Sequence, residues 1–421
     1  MPAPFRFVHC ADVHLDTPFR SRSRDLRHRL TEAGRQAFEG LVGLCLEERV
    51  DALLIAGDLF DNDRLTLASE GFLVDQVARL ARAGVHVVAV TGNHDPGRAD
   101  QRAHAIDWPQ ERFHLLRSRK PETVEIHRRD GSLAGRVTGA GHLTAADTTN
   151  LAVSLPAIPG FDPVVGLLHS QVLDTVGADR HEPYAPCSRE DLTGKGYDYW
   201  ALGHVHQRQK VLDVPPAWYP GNLQGRHFGE CGAKGALLVS VARGEAAKVE
   251  FRALAPVRWE QIVPDGLIGA RTLAGLEESV AARFASLRSD ADVLPGQEWM
   301  LRVVLGGQCP LAPQLESAEE TDDLADRLAA TLGVLSVEVR IDHICRPLDI
   351  EAHRDQPHLL GTTLALIAEL GSDDELLDQV APPHLAGLEG EDPAGRRRYL
   401  RELLDGLELE AAQALLRENV G

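Results

Sequence analysis

The stretch "LLIAGDLFDNDR", residues 53–64, is the most informative about the fold, because an apolar run is followed directly by the carboxylates Asp58 and Asp61. The run from Leu53 to Gly57 consists of small or apolar residues, which is typical of a central strand covered on both faces. Asp58 is therefore expected at the carboxyl edge of a sheet, where open α/β sheets bind their ligands. Taken alone, this carboxylate is explained equally well as a cap of the helix that follows.

Strands and helices alternate over the first 250 residues. Helices are predicted near 25–48 and 66–83, and strands at 5–10, 52–57, 85–92, 164–169, 199–204 and 235–241. Alternation at this spacing predicts parallel strands that are joined by right-handed crossovers.

The chain beyond residue 255 has a different pattern. The segment Pro256–Pro264 is predicted to be a linker, because two prolines bracket a polar stretch. Helices near 273–287 and 321–332 then alternate with strands at 299–306 and 334–341, and the pattern is helical from Leu359, with an amphipathic stretch at 396–419. We therefore predict an α/β fold in three parts. These are a sheet domain flanked by helices (1–255), a small α+β domain (265–350) and a helical C-terminal region (355–421).

The net charge of −19 belongs mainly to the C-terminal part of the chain. Residues 1–250 carry 29 Lys and Arg against 32 Asp and Glu, whereas residues 251–421 carry 15 against 31. Nucleic-acid binding normally needs a positive surface, so the total charge argues against it. If acidic residues of the N-terminal part bind divalent cations, the local charge at its functional site becomes neutral or positive.

The six cysteines and the hydropathy pattern indicate a cytoplasmic protein. The cysteines are scattered and never form a C-x-x-C pair, which suits a reduced compartment. The N-terminus has no basic stretch followed by an apolar segment, and no apolar run approaches 18 residues. We therefore expect neither secretion nor a membrane partner.

Metal-capable side chains follow five predicted strands of the N-terminal part. A helix-cap explanation would have to apply separately at each of the five, so we predict a metal centre at the edge of one sheet. Oxygen and imidazole ligands without a thiolate suit Mn²⁺, Fe²⁺ or Zn²⁺. Seven ligands are too many for one ion, and two ions sharing Asp58 would use them all. The seven are Asp12, His14, Asp58, Asn93, His169, His204 and His206.

These residues form motifs that resemble the calcineurin-like metallophosphoesterases. The motifs occur in order as D-x-H (12–14), GD (57–58), GNHD (92–95), a lone His169 and GHVH (203–206). "ADVHLD", "GDLFD" and "GNHD" are similar to the SbcD-type DNA repair nucleases, and "YPGNLQGRHFGE" (219–230) resembles the YhaO-type bacterial exonucleases. The resemblance covers roughly residues 5–250. It implies the layered sheet core of that family over residues 1–255 and gives the small α+β domain at 265–350 the role of a capping domain.

The resemblance also implies roles for individual residues. Asp12, His14, Asp58 and His206 would hold one metal ion, and Asp58, Asn93, His169 and His204 the other. His94 would face the scissile phosphate and protonate or stabilise the leaving oxygen. The alternative for His94 is that it only orients a ligand. Asp95 is expected to support His94 or a turn from behind the ligands. The resemblance implies two divalent ions as cofactors, with Mn²⁺ first and Fe²⁺ or Zn²⁺ as alternatives.

Two departures from related families limit what can be transferred. Asp61 stands where eukaryotic and archaeal relatives of the repair nuclease carry a histidine. Any role of that second histidine in handling duplex DNA is therefore not transferred to this chain. Asp61 is instead expected to support the site from behind the ligands. The phosphoprotein phosphatases of the family typically show GDxxDRG and GNHE, whereas this chain has GDLFDNDR and GNHD, which argues against a phosphoprotein substrate.

Arginines that follow the first motif are candidate DNA contacts. Arg20, Arg22, Arg24, Arg27 and Arg29 lie in "FRSRSRDLRHRL" (19–30), where guanidinium groups would contact the phosphate backbone. Only five of the 44 basic residues are lysine, so arginine is alternatively the default cation of this chain. Arg226 and His227 are a second candidate pair for contacting DNA.

The resemblance implies that the C-terminal region docks on a coiled-coil ATPase of the SbcC type, and related nucleases also form homodimers. An apolar stripe could provide this dock or could pack on its own domain. Its members are Leu400, Leu403, Leu404, Leu407, Leu409, Leu415 and Leu416.

The function that we predict is two-metal hydrolysis of DNA in repair, as an exonuclease with single-strand endonuclease activity. The first alternative is a phosphodiesterase for a small nucleotide or other diester, with the C-terminal part as a lid. A second is a component that works only within an ATPase–nuclease complex. A scaffold that has lost its chemistry is disfavoured, because every expected ligand is present.

Overall fold

The computed structural model describes residues 3–61, 65–98, 106–109, 111–158, 160, 162–176, 182–289, 292–380 and 393–417. The strands in chain order are β1 (Phe5–Cys10), β2 (Ala52–Ala56), β3 (His86–Val90), β4 (Phe113–Leu116), β5 (Glu122–His127), β6 (Leu133–Ala140), β7 (Val164–His169), β8 (Tyr199–Gly203), β9 (Gln209–Asp213), β10 (Pro216–Tyr219), β11 (Gly235–Val241), β12 (Lys248–Ala253), β13 (Val257–Ile262), β14 (Glu298–Gln308) and β15 (Ser336–Cys345). The helices are α1 (Arg24–Glu47), α2 (Leu67–Arg82), α3 (Leu151–Ser154), α4 (Leu273–Leu287), α5 (Ala318–Leu332), α6 (Glu351–Arg354), α7 (Leu359–Ser372), α8 (Asp374–Val380), α9 (Pro393–Leu404) and α10 (Leu407–Arg417).

The first sheet has six strands in the order β12-β11-β1-β2-β3-β4. Strands β1 to β4 are mutually parallel, and β11 pairs antiparallel with β1. Helices α1 and α2 are the crossovers between the parallel strands. Each begins at a side-chain cap, because Ser23 accepts the backbone N–H of Leu26 and Thr66 accepts that of Ser69. The predicted strand–helix alternation is therefore confirmed in this sheet.

A second six-stranded sheet, in the order β5-β6-β7-β8-β10-β9, corrects one expectation. The sequence pattern predicts all five ligand-bearing strands in one sheet, but β7 and β8 belong to this second sheet. The error arose because strand periodicity marks a buried strand without identifying its neighbour. The antiparallel edge strands β5 and β9 were also missed, since they are short and carry polar residues.

The faces of the two sheets pack together in one hydrophobic cluster. Phe7 and Leu54 from the first sheet are fully buried beside Leu167 and Tyr199 from the second. The outer face of the first sheet is covered by α1 and α2, through residues such as Phe38. This arrangement confirms a layered core that helices flank, and it brings the carboxyl ends of β1, β2, β3, β7 and β8 together.

The predicted linker at 256–264 is instead strand β13. Val257, Trp259 and Ile262 are fully buried, and β13 joins a three-stranded sheet in the order β13-β14-β15. Pro256 and Pro264 flank the strand without interrupting its backbone pairing, which is why proline failed as a linker signal here.

The chain divides into two compact units. The first contains residues 1–261, 285–302 and 329–337, and the second contains 262–284, 303–328 and 338–421. The three consecutive domains expected from the sequence, 1–255, 265–350 and 355–421, remain a prediction. Within the described residues, no helix has both the length and the apolar character needed to span a membrane.

The C-terminal helices belong to the second unit. The amphipathic stretch predicted at 396–419 forms α9 and α10, separated at Gly406, whose φ of 81° suits glycine. Residues 381–392 and 418–421 and the side chain of Leu416 lie outside the described part. Within the stripe, Leu400 is buried, Leu415 packs on the cluster of Leu360 and Leu364, and Leu403 is 53% exposed. The stripe therefore packs partly on its own unit.

Candidate metal centre

The site lies where the chain turns sharply after the strands. Asp12, His14 and Asp58 have φ values of 51°, 48° and 52°, and His204 has 105°. Such values cost residues other than glycine about 1–3 kcal/mol each and concentrate at functional sites. The turns are fixed by backbone bonds from Asp12 to Gly57 (3.2 Å) and from His14 to Asp58 (3.1 Å). The loops after β1 and β2 therefore hold each other in place.

One group of potential ligands converges around Asp12. The Nε2 atoms of His14 and His206 lie 3.3 Å apart, and His206 Nε2 lies 3.7 Å from Asp12 Oδ1. His14 Nε2 is also 3.6 Å from Asp58 Oδ2. Two nitrogens bound to one ion at about 2.1 Å each lie roughly 3 Å apart, so this spacing fits a shared cation.

A second group converges on the other side of Asp58. His169 Nε2 lies 3.5 Å from Asp58 Oδ2 and 2.9 Å from Asn93 Oδ1. The rings of His169 and His204 have centroids 5.2 Å apart, and the backbone N–H of His204 donates to Asp12. The same oxygen of Asp58 thus faces both groups, as the predicted bridge requires.

Two glycines make this convergence sterically feasible. Gly57 has a φ of 85°, and a Cβ there would lie 2.4 Å from His169 Nδ1. A Cβ on Gly92 would lie 2.2 Å from Asp58 Oδ1. Any larger residue at either position would displace a ligand side chain.

The electrostatics of these buried residues fit divalent cations. Burial, with Asp58 nearby, raises the pKa of Asp12 well above its usual range, and burial raises that of Asp58 to about 6. Burial likewise lowers the pKa values of His14 and His169 well below the usual range. Carboxylates that resist ionisation when buried are stabilised as anions by a neighbouring cation, and imidazoles must be neutral to bind one.

The second nitrogen of three of the imidazoles is held by a protein group. His169 Nδ1 lies 2.9 Å from Ala56 O, His204 Nε2 lies 3.0 Å from Glu182 O, and His206 Nδ1 lies 2.7 Å from Glu230 Oε1. In His169 and His206, the contacts leave Nε2 facing the carboxylates of Asp58 and Asp12, respectively. His14 differs, because its Nδ1 is buried without a hydrogen bond, 3.7 Å from Asp61 Oδ1. The donor set therefore fits two ions.

His94 and Asp61 form a separate pair beside the ligands. His94 Nδ1 lies 2.6 Å from Asp61 Oδ1, and the ring is 34% exposed. Burial by itself lowers the pKa of His94, but the hydrogen bond to Asp61 and the charge of Asp58 outweigh it and raise the pKa. Burial alone would raise the pKa of Asp61, but the nearby imidazole of His14 and the hydrogen bond to His94 outweigh it and hold the pKa far below its usual range. An ionised acceptor thus holds the His94 ring, as expected of a supporting residue.

Asp95 supports the turn rather than the His94 ring. Its carboxylate accepts backbone N–H bonds from Asp58 (3.3 Å), Leu59 (2.8 Å) and Gly92 (2.6 Å). Burial, together with the charge of Asp58, raises its pKa to about 8. Asp95 therefore ties the loop after β2 to the loop after β3.

The candidate ligands lie beside a cleft of about 650 Å³. Asp58, Asn93, His94, His204 and His206 line one side. The lining also includes Gln207, Gln261 and part of the loop between β10 and β11, where Phe228, Glu230 and Lys234 accompany the predicted residues Arg226 and His227. Glu230 and Lys234 were missed, because the only signal in the sequence was the i,i+4 spacing of Arg226 and Glu230.

The candidate arginines after the first motif occupy different environments. Arg20, Arg24 and Arg27 are exposed. Arg22 stacks over Trp259 with its guanidinium carbon 5.4 Å from the ring, and Arg29 pairs with Glu298. His227 is exposed, whereas Arg226 is half-buried and bonds to Glu230. Among these candidates, Arg20, Arg24 and Arg27 are therefore the arginines with exposed side chains that could contact a phosphate backbone.

Comparisons with known proteins identify the family. The sequence pattern of the calcineurin-like phosphoesterases matches residues 5–208. The uncharacterized metallophosphoesterase YhaO of Bacillus subtilis (strain 168) is 33% identical over 308 residues, covering 72% of each chain. DNA double-strand break repair protein Mre11 of Methanopyrus kandleri is 32% identical, over 58% of this chain and 56% of Mre11. The SbcD component of the nuclease SbcCD from Escherichia coli (strain K12) is 24% identical, over 58% of this chain and 67% of SbcD.

The matched region contains all seven of the converging side chains. The family pattern ends at residue 208, two residues after His206, and YhaO is similar over nearly three quarters of this chain. The chain therefore belongs to the calcineurin-like metallophosphoesterases and is a metal-dependent phosphoesterase.

Proposed function

We propose that this protein is a two-metal phosphodiesterase that hydrolyses DNA in repair, as an exonuclease with single-strand endonuclease activity, and that Mn²⁺ is its metal. The observation that carries the proposal is that members of both groups of potential ligands line the same cleft as His94, namely His206 of the first group, Asn93 and His204 of the second, and the shared Asp58. A phosphodiester in this cleft would meet both the ions and a proton donor. The names of two relatives, a double-strand break repair protein and a nuclease component, support DNA as the substrate.

The seven side chains would hold the ions in two sets that share Asp58. The ions would supply Lewis acidity and lower the pKa of the attacking water. Asp12, His14 and His206 would complete the first set, and Asn93, His169 and His204 the second. Asp95 would keep the loops after β2 and β3 in register, because it bonds to the backbone of both.

His94 would deliver the proton to the leaving oxygen. Its Nδ1 is engaged by Asp61, so Nε2 is the ring atom available to substrate. The same bond raises the pKa of His94, which keeps a proton on the ring for the departing alkoxide. Arg226, at the same cleft, would place a guanidinium near the negative charge of the phosphate.

DNA would be bound outside the cleft through the phosphate backbone. Arg20, Arg24 and Arg27 are exposed on the segment that follows the first motif. Contacts of this kind position the strand without reading its sequence. We also propose a homodimer and an ATPase partner that docks on the C-terminal helices, where Leu403 is exposed.

One observation favours a small diester as the second candidate substrate. Among the described residues that line the cleft, none comes from the segment 19–30. A nucleotide or similar diester of limited size would fill 650 Å³ without those arginines.

Digestion of end-labelled single-stranded and duplex DNA with Mn²⁺ tests the proposal. We expect metal-dependent cleavage by the wild-type protein and its loss in His94→Ala and Asp58→Ala. His343→Ala is the matched control, because His343 is an exposed histidine of the second unit. Asp61→Asn should keep metal binding and lose about 10- to 100-fold in rate.

A chromogenic small phosphodiester separates the two candidates. If DNA is the substrate, DNA should compete with this diester, and the competition should weaken steeply with salt. Robust turnover of the diester without DNA cleavage or competition would refute the nuclease proposal and favour the second candidate.

A further inference from the structure

The loop between β10 and β11 encloses His206, one of the potential metal ligands. His206 Nδ1 lies 2.7 Å from Glu230 Oε1. The carbonyl oxygen of His206 accepts a bond from Lys234 Nζ at 2.9 Å and a longer one from the backbone N–H of Asn222 at 3.4 Å. Both the ring and the backbone of His206 are thus held by residues 222–234.

The carboxylate of Glu230 is saturated with donors. Besides His206, Oε1 accepts a bond from Arg226 Nη2 at 2.9 Å. Oε2 accepts one from Asn222 Nδ2 at 2.8 Å and one from the backbone N–H of Arg226 at 2.8 Å. Glu230 is only 5% exposed, so these bonds replace the water that an ionised carboxylate needs. Such a site stabilises the anion and leaves no position for a proton.

This saturation fixes the tautomer of His206. An ionised carboxylate can only accept, so His206 Nδ1 must carry the hydrogen. The Nη2 of Arg226 lies 3.1 Å from the same Nδ1, but a guanidinium only donates, so both groups donate to the shared oxygen Oε1. The lone pair of His206 then lies on Nε2, which faces Asp12 Oδ1 at 3.7 Å and His14 Nε2 at 3.3 Å.

We propose that Glu230 is a positioning residue that sets the tautomer and orientation of His206 for metal binding, with Arg226 and Asn222 holding the carboxylate in place. The contrast with the other set of ligands supports this assignment. His169 and His204 contact the backbone carbonyls of Ala56 and Glu182, which no substitution removes. Glu230 is therefore the side chain through which one of the two metal sites can be weakened selectively.

The proposal deepens the proposed function, because it concerns the same metal centre. Its readout is metal binding, so a failure of DNA cleavage would count against the nuclease alone.

The first experiment is a calorimetric titration of metal-free Glu230→Gln with Mn²⁺. A glutamine at this position has one NH₂ group, and both possible orientations place it against hydrogen-bond donors. It would face either His206 and Arg226 Nη2 or Asn222 and the backbone N–H of Arg226. We expect one of two sites to weaken by about 10- to 100-fold while the other keeps its affinity. Glu260→Gln is the matched control, since Glu260 is a buried glutamate that pairs with Arg258.

A double-mutant cycle separates positioning from a structural effect. In a His206→Ala background, Glu230→Gln should cause no further loss of Mn²⁺ affinity, because the ligand that it positions is gone. Electron paramagnetic resonance should show coupled Mn²⁺ pairs in the wild-type protein and isolated ions in Glu230→Gln. Two sites of wild-type affinity in Glu230→Gln, or an equal loss in both backgrounds, would overturn the proposal.

A measurement on the wild-type protein covers the case that Glu230→Gln does not fold. Long-range ¹H–¹⁵N spectra of histidine-labelled, metal-free protein report the ring tautomer, and His206→Gln assigns the signal. We expect the hydrogen of His206 on Nδ1. A signal with the hydrogen on Nε2 would overturn the proposal without any variant of Glu230.

Discussion

His9 should make the free energy of unfolding of the metal-free protein depend on pH, and the substitution His9→Gln should remove this contribution. The ring is fully buried between the sheets, with Nδ1 3.1 Å from the Tyr199 hydroxyl and Nε2 3.1 Å from Leu202 O. Burial lowers its pKa from 6.5 to about 3. The unfolded chain therefore binds the proton first, so the stability is full above pH 6.5 and is lost as the pH falls toward 3.

The magnitude follows from these two values. Between pH 7.5 and pH 5, protonation of His9 in the unfolded chain alone should remove about 2 kcal/mol from the free energy of unfolding. His9→Gln has no proton to gain, so its loss over the same range should be smaller by that amount. Its stability at pH 7.5 should also be lower, because the contacts to Tyr199 and Leu202 are altered.

Urea denaturation at the two pH values, with a chelator present, measures this difference. The other buried histidines titrate equally in both proteins and cancel in the comparison. His343→Gln, at an exposed position, should behave like the wild-type protein. An equal pH dependence in wild type and His9→Gln would refute the reasoning, since it would mean that His9 is not held neutral by burial.

Three further predictions concern the metal centre and its substrate. Gly57→Ala should bind fewer Mn²⁺ ions per chain by elemental analysis, because its Cβ would lie 2.4 Å from His169 Nδ1. Gly43→Ala has open space around the new Cβ and should bind as the wild type does. Free Mn²⁺ at 100 times the dissociation constant should stabilise the metal-free protein in urea denaturation by about 2.7 kcal/mol for each ion site that it fills, and a stabilisation of the same size in Asp58→Ala would contradict the site. Replacing Arg20, Arg24 and Arg27 by Ala should make DNA binding less dependent on salt in fluorescence anisotropy, and an unchanged slope would remove this segment from the interface.

The sequence predicted the parallel strands of the first sheet, and the position of the candidate ligands at their ends, because local signals were strong there. The strand at 52–56 is a continuous apolar run, and Asp58 follows it at the edge, so periodicity and position agreed. Sheet membership of β7 and β8 could not be predicted, because partner strands are chosen by packing over the whole core. The role of β13 was missed for a related reason, since Trp259 finds its burial against residues distant in the chain.

The support around the ligands was harder to predict than the ligands themselves. Asp12 and His169 belong to short motifs, but Glu230 acts through a contact across 24 positions in the chain. Asp61 was expected to support the site, yet its bond to His94 depends on how two loops meet. The spacing of residues in the sequence does not predict such contacts. A tight turn beside a ligand, in contrast, can be recognised in the sequence, because it requires a glycine such as Gly57.

The origin of the ligands in two different sheets has a consequence for the newly made chain. Asp12, His14, Asp58 and Asn93 follow strands of the first sheet, whereas His169, His204 and His206 lie at the ends of strands of the second. A nascent chain of about 100 residues would carry four of the seven candidate ligands and none of the three histidines that complete the two ion sites. Hydrolytic competence would thus appear only once both halves of the core have closed on each other, so the protein is inert toward phosphodiesters until it has folded.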